Sequence, residues 1–165
     1  MLSAVATVAV MAVIFIFSSQ NGNISSGVSN GFGAWVLGVL GIDIPPGQTA
    51  SEVVIIFGLR IRNLAHMFLY ACLGAGSYCL AQSLCGIKLP SGVRRAALSS
   101  LCAAAFCLFY ACTDELHQYF VPGRSAALRD VMFDVIGSAS AIAVIFAVHA
   151  AIICLGAGGR RSKND

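Results

Sequence analysis

The sequence predicts an all-α membrane protein: four transmembrane helices in an antiparallel bundle, with a short interfacial or re-entrant helix between the first and the second. Three observations carry that expectation. Of 165 residues, 58% are hydrophobic and only 10% charged, with a mean hydropathy of +0.86, whereas a soluble domain carries about 25% charged residues. Four apolar runs approach or reach the roughly 17–25 residues that a helix needs to cross hydrocarbon. None alternates with period two, and backbone amides in lipid must bond within their own segment, so the runs read as helices.

A chain this short has no room to bury so much apolar surface in a water-facing globule. An ordinary soluble enzyme and a disordered regulator are thereby excluded. The net charge of +3 provides no basic face for phosphate backbones, so no nucleic-acid partner is expected. What remains is one membrane domain spanning residues 1–165. The seven cysteines form neither a CxxC pair nor a zinc-spaced cluster, and their odd count argues against a closed disulfide framework. They read as small hydrophobes on lipid-facing or packed surfaces.

The first span runs from Leu2 to Phe17 and is slightly short. It lacks the basic flank of a signal peptide, and Ser18-Ser19-Gln20 is a poor cleavage site, so it is expected to stay uncleaved. Residues 18–63 connect it to the second span. Within them, a segment containing Trp35 and ending near Gly41 is apolar but too short to cross, which suits an interfacial or re-entrant piece. Pro45-Pro46-Gly47 then breaks the chain, and a second short piece covers Ser51 to Leu59. The remaining spans are expected at Leu64–Leu84, Ala96–Thr113 and about Val135–Leu155, with a cytoplasmic tail over residues 156–165.

Orientation follows from the bases beside the spans. Lys88, Arg94, Arg95, Arg160, Arg161 and Lys163 fall on one side, and Arg60, Arg62, Arg124 and Arg129 on the other. The richer side is expected to be cytoplasmic, which puts both termini inside a multi-pass cell-membrane protein. The acids sharpen the contrast: Asp165 alone falls inside, while Asp43, Glu52, Asp114, Glu115, Asp130 and Asp134 fall outside.

This topology gathers the polar chemistry at the external face. Gln20 ends the first span, and Arg62, Asn63 and His66 open the second. Asp114, Glu115, His117 and Gln118 close the third, and Asp130 and Asp134 open the fourth. Asp114 and Gln118, Asp130 and Asp134, and Arg62 and His66 are each four residues apart, so each pair shares a helix face, with Tyr70 one turn deeper than His66. Pro122-Gly123 marks a turn expected to swing Arg124 back over the carboxylates. Ionisable groups at membrane depth are costly and usually face a bundle interior or a water-filled cavity.

Several readings of this cluster stay open. The arginines can neutralise the acids in a purely structural network, although interhelical polar contacts average only about 0.6 kcal/mol. Asp114 and Glu115 are candidate general acid/base residues, but neighbours on a helix point about 100° apart, so one at most would lead. A divalent-metal site from His66, Asp114, His117 and Asp130 is a minor reading, and neither metal nor cofactor is expected. His117 reads as an interface cap and His149 as a satisfied or snorkelling side chain. Ser18 and Ser19 have no nucleophile elbow. Guanidinium groups facing a membrane pocket suit phosphate or carboxylate ligands through bidentate bonds, and this option fits the charge pattern best.

The residues also resemble a known family. Phe17-Ser18-Ser19-Gln20 is similar to the end of the first helix of VanZ-like membrane proteins. Ile61 to Gly74 resembles that family's arginine/histidine/tyrosine signature, Asp114 to Arg124 its most distinctive block, and Asp130-Val131 with Asp134 and Gly137 the entry to its last helix. The sequence departs from the family where Asn63 replaces a common lysine, where Leu69 replaces a frequent acid, and where Asp134 stands at a frequent asparagine. The resemblance implies a small multi-pass membrane protein. The founding member is linked to teicoplanin resistance, and no settled enzymatic mechanism comes with the family.

The leading expectation is therefore an outward polar pocket that recognises an anionic envelope component, either a membrane lipid or a lipid-linked precursor. Arg62 and Arg124 hold the anion, Gln118, Asp130 and Asp134 shape the pocket together with Asp114 and Glu115, and Gln20, His66 and Tyr70 line it. A membrane-embedded hydrolase or transferase with an Asp/Glu base, and a structural scaffold, stand as alternatives. A transporter fits worst, because no paired broken helices are present. Oligomeric state is not specified by the sequence.

Overall fold

The computed structural model describes residues 2–56, 59–86 and 92–161. Lys88, Lys163 and Asp165, which entered the orientation count, lie outside the described residues, as do the side chains of Arg60, Arg160 and Arg161. Among the described residues six helices follow in order: α1 Leu2–Ser18, α2 Gly22–Leu40, α3 Ala50–Val53, α4 Ile61–Cys85, α5 Val93–Tyr119 and α6 Leu128–Arg161. A minimal antiparallel pairing of Ile55 with Arg60 and Ile56 with Leu59 precedes α4.

Among the described residues, three helices are long and apolar enough to cross a membrane: α4, α5 and the Leu128–Leu155 part of α6. At 17 residues α1 is short of a span by itself. Together with α2 it passes on length and apolarity, but the pair is bent by 106°. Among the described residues there are thus three candidate spans by length and composition, or up to four if the bent pair counts as one. All three long helices start earlier or end later than their apolar runs, because a helix continues through Arg62, Glu115 or Asp130 when neighbouring helices receive those side chains.

The helix expected around Trp35 is a full 19 residues. Asn21 starts it by accepting a hydrogen bond from the Ile24 amide at 2.9 Å. Gly41, at φ 67°, stops it in the left-handed conformation. Its Ile24, Val28, Phe32, Trp35 and Val39 side chains are exposed at helical spacing and make one apolar stripe. The opposite face buries Ser25, Gly33 and Leu37. A helix that turns sharply from its predecessor and shows an apolar stripe outward has the form of an interfacial element.

The buried acids Asp114, Glu115 and Asp134 lie apart from the apolar core clusters, at the polar end of the bundle. Ile14, Tyr70, Leu73, Cys107, Ala111 and Val131 form the main cluster, drawn from α1, α4, α5 and α6. The Tyr110 hydroxyl donates to the Met11 carbonyl at 2.8 Å and fastens α5 to α1. The α4–α6 contact is the largest between helices and depends on small residues, as expected where lipid offers no hydrophobic drive. A Cβ at Gly74 would lie 2.6 Å from the Ser138 carbonyl, and one at Gly137 would overlap the Met67 carbonyl. This close approach sets the register in which the polar ends of α4 and α6 meet. All seven cysteines are free; four are exposed and Cys107 is buried.

At the other end of the bundle, Tyr78 and His149 share a 2.7 Å hydrogen bond. Gln82 donates to Tyr78 at 3.0 Å, and the Arg95 guanidinium donates to Gln82 at 3.1 Å. His149 is thus satisfied within a chain that links α4, α5 and α6.

Candidate functional site

The polar end is assembled from four helix termini and one turn. Two parallel rungs join α4 to α6: Arg62 Nη2 lies 3.6 Å from Asp130 Oδ2, and one turn deeper His66 Nδ1 lies 3.7 Å from Asp134 Oδ1. The i, i+4 spacing on both helices makes this possible, because each helix brings two residues to the shared face. Asn63 adds a long contact to Asp130 at 3.5 Å, and Arg129 reaches the same carboxylate at 3.9 Å.

Helix α5 brings its acids to two different neighbours. Asp114, 5% exposed, accepts from Ser18 at 2.9 Å and from Gln118 at 3.1 Å, both at Oδ2. Glu115 points to the α5–α6 connection, where its Oε1 accepts the Ala127 amide at 2.6 Å. The two carboxylates do not work as a pair. His117 contacts Ser19 at 3.1 Å and stacks on Phe15, away from the other acids.

The expectation for Arg124 needs correcting. Its turn forms as read, with Gly123 at φ 76°, but the guanidinium does not cover the carboxylates. Nε donates to the Gln20 carbonyl at 2.9 Å, Nη2 to the Phe17 carbonyl at 2.8 Å and Nη1 to Gln118 Oε1 at 2.8 Å. Carbonyls at and just past a helix C-terminus attract a cation, and here those of Phe17 and Gln20 take this one. Burial, and then the nearby Arg62 charge, lower the Arg124 pKa from the ordinary arginine value. Gly22, whose amide donates to the Pro122 carbonyl at 3.1 Å, ties the α1–α2 corner to the same turn.

Of the sequence candidates, Arg62, His66, Asp114, Glu115, Gln118, Asp130 and Asp134 meet in one layer. Gln20 contributes its backbone carbonyl to Arg124, and its side chain lines a neighbouring groove. Tyr70 sits beneath the layer, fully buried, with its hydroxyl lacking a hydrogen-bond partner. Ser18, which has no nucleophile elbow, serves instead as the donor to Asp114; its place at the end of the first span is the sequence signal for that part. The metal grouping also differs from expectation. His117 and Asp130 are engaged elsewhere, while one ligand atom each from His66, Asp114 and Asp134 lie within 4.8 Å of one another.

Beside the layer, α2 and α4 enclose an apolar groove of about 450 Å³, lined by Val28 and Phe32 from one and Phe68 and Leu69 from the other. Its polar edge carries Arg62, His66 and Arg124. Arg62 also lines a polar crevice toward Ser26, Ser29 and Ser51 and a smaller one toward Glu115 and Asp134. It stands where all three spaces meet.

A family model, VanZ/LLP1, matches residues 3–150. The chain belongs to the VanZ/LLP1 family. The match takes in α1 through most of α6, so every side chain of the polar layer lies inside the VanZ/LLP1 region. No curated protein and no solved structure matches the chain.

Proposed function

We propose that this VanZ/LLP1 protein binds a phosphate-bearing lipid, with the head group at Arg62 and the chain in the α2–α4 groove. The observation that carries the reading is the groove itself. Its lining is apolar, and guanidinium groups stand at one edge, which is the polarity of an anionic lipid. A volume of about 450 Å³ falls within the roughly 300–1,000 Å³ usual for small-molecule sites. Each methylene buried contributes about 0.8 kcal/mol, and Arg62, whose side chain is 39% exposed, is accessible to a phosphate oxygen. Arg124 supports the site by holding α1 in place and adding positive potential at the edge.

The polar end faces outward in this reading, supported by the bases counted from the sequence. Membrane lipids and polyprenyl phosphates share the required chemistry. Sequestering or presenting such a lipid at the outer surface would be one route to lower glycopeptide susceptibility.

Native mass spectrometry of the purified protein with phosphatidylglycerol, phosphatidylcholine and a polyprenyl phosphate tests the reading. Preference for either phosphate monoanion or dianion over the zwitterion, reduced about tenfold in Arg62→Gln, is expected; tenfold corresponds to about 1.4 kcal/mol. The stronger of the two anionic arms identifies the source. Equal retention of all three lipids, unchanged in Arg62→Gln, would overturn it.

A further inference from the structure

We propose that His66, Asp114 and Asp134 form a binding site for one divalent first-row transition ion, joining α4, α5 and α6 at the polar end. The inference does not rest on lipid binding. The three residues come from three different helices, and one ligand atom from each lies within 4.8 Å of the others. Asp114 and Asp134 are 5% and 2% exposed. Two carboxylates this buried need compensating charge, because an unpaired ion in a low-dielectric setting is strongly disfavoured.

No described arginine forms an ion pair with either of these carboxylates. Arg62 and Arg129 are both on Asp130, and Arg124 gives its hydrogen bonds to two carbonyls and an amide. Two further observations point to an absent partner. Asp134 Oδ1 is buried without a hydrogen bond, and its 3.7 Å approach to His66 Nδ1 exceeds hydrogen-bonding distance. On Asp114, both donors use Oδ2, so neither occupies Oδ1. The buried Tyr70 hydroxyl is also without a partner.

An imidazole with two carboxylates is a mixed nitrogen and oxygen set, suited to Mn²⁺, Fe²⁺ or Zn²⁺. Ser18 and Gln118 orient Asp114 as outer partners orient ligands in known metal centres. The site has a structural consequence: one ion would hold the ends of three helices whose interhelical hydrogen bonds are individually weak.

The test uses the full chain in lipid nanodiscs, stripped with a chelator and titrated with Mn²⁺ while the free ion is followed by electron paramagnetic resonance. One Mn²⁺ per chain is expected, displaced by Zn²⁺, with pulsed measurements detecting coupling to a single imidazole nitrogen. Asp134→Asn, close to isosteric, should weaken binding more than about tenfold, whereas His117→Gln should leave it unchanged. No saturable Mn²⁺ binding, no nitrogen coupling, or equal binding by Asp134→Asn would overturn the site. The nitrogen coupling is read on the unmodified protein, so the test stands even if a variant fails to fold.

Discussion

His66 Nδ1 and Asp134 Oδ1 face each other at 3.7 Å across the α4–α6 interface, one turn below the 3.6 Å pair of Arg62 and Asp130. The two rungs fix which turn of α4 meets which turn of α6. They also leave the deeper carboxylate short of donors. The same relationship serves register, ligand access and charge balance, and these roles can be separated by experiment.

The upper rung is tested by exchange. Arg62→Asp and Asp130→Arg should each lower the unfolding temperature in detergent, and combining them should recover most of the loss. Anionic-lipid binding should stay impaired in the double variant, because the guanidinium has moved away from the groove. Full recovery of binding would reduce the pair to a helix-register device.

Gly137 is the tightest point of the α4–α6 contact. Gly137→Ala places a methyl group against the Met67 backbone, and overpacking of this kind costs about 1–3 kcal/mol. Gly31→Ala meets nothing within 4 Å and serves as the control, gaining helix propensity if anything. Denaturant unfolding of both variants checks this. Equal stabilities would contradict the close approach.

Arg124 is expected to matter for stability before it matters for binding. Arg124→Ala removes the donor to the Phe17 and Gln20 carbonyls and to Gln118. Hydrogen bonds to charged groups contribute about 1.5–3 kcal/mol, so a clear fall in unfolding temperature should accompany normal membrane insertion. Arg124→Lys should recover only part of it, since one ammonium cannot reproduce the planar fork. An unchanged melting profile in Arg124→Ala would show that α1 does not depend on this cap.

The far-end network provides the complementary case. Tyr78→Phe breaks the interhelical bond to His149 and the α4 bond to Gln82 and should cost about 0.6 kcal/mol, the average for interhelical polar contacts in membranes, and at most about 1.7 kcal/mol. Lipid and Mn²⁺ binding at the polar end should be unaffected. A change in either would mean that the two ends of the bundle are coupled.

The three long spans and the meeting of the polar layer were readable from the sequence because both follow from periodicity, whereas the first expected span qualifies only as half of a bent pair. Apolar runs set the helices, and i, i+4 spacing put Arg62 with His66 and Asp130 with Asp134 on single faces. Partner choice was not readable. The target of Arg124 depends on where α1 ends in space, and spacing along the chain says nothing about that. The 106° bend between α1 and α2 hid the groove in the same way: Val28 and Phe32 were apolar residues in a connection until the bend laid them beside Phe68. His117 showed the converse, since its neighbours in sequence are in the layer while its own side chain turns to Phe15.

The most direct test of groove binding is to map where a phosphatidylglycerol with a photoreactive tail attaches to the protein in nanodiscs. Lipid held with its head group at Arg62 predicts cross-links concentrated on peptides carrying Val28, Phe32, Phe68 and Leu69, and their loss in Ala65→Trp, which fills the groove. Labelling spread instead along the exposed α6 stripe of Val144, Val148 and Ile152, indifferent to Ala65→Trp, would contradict it.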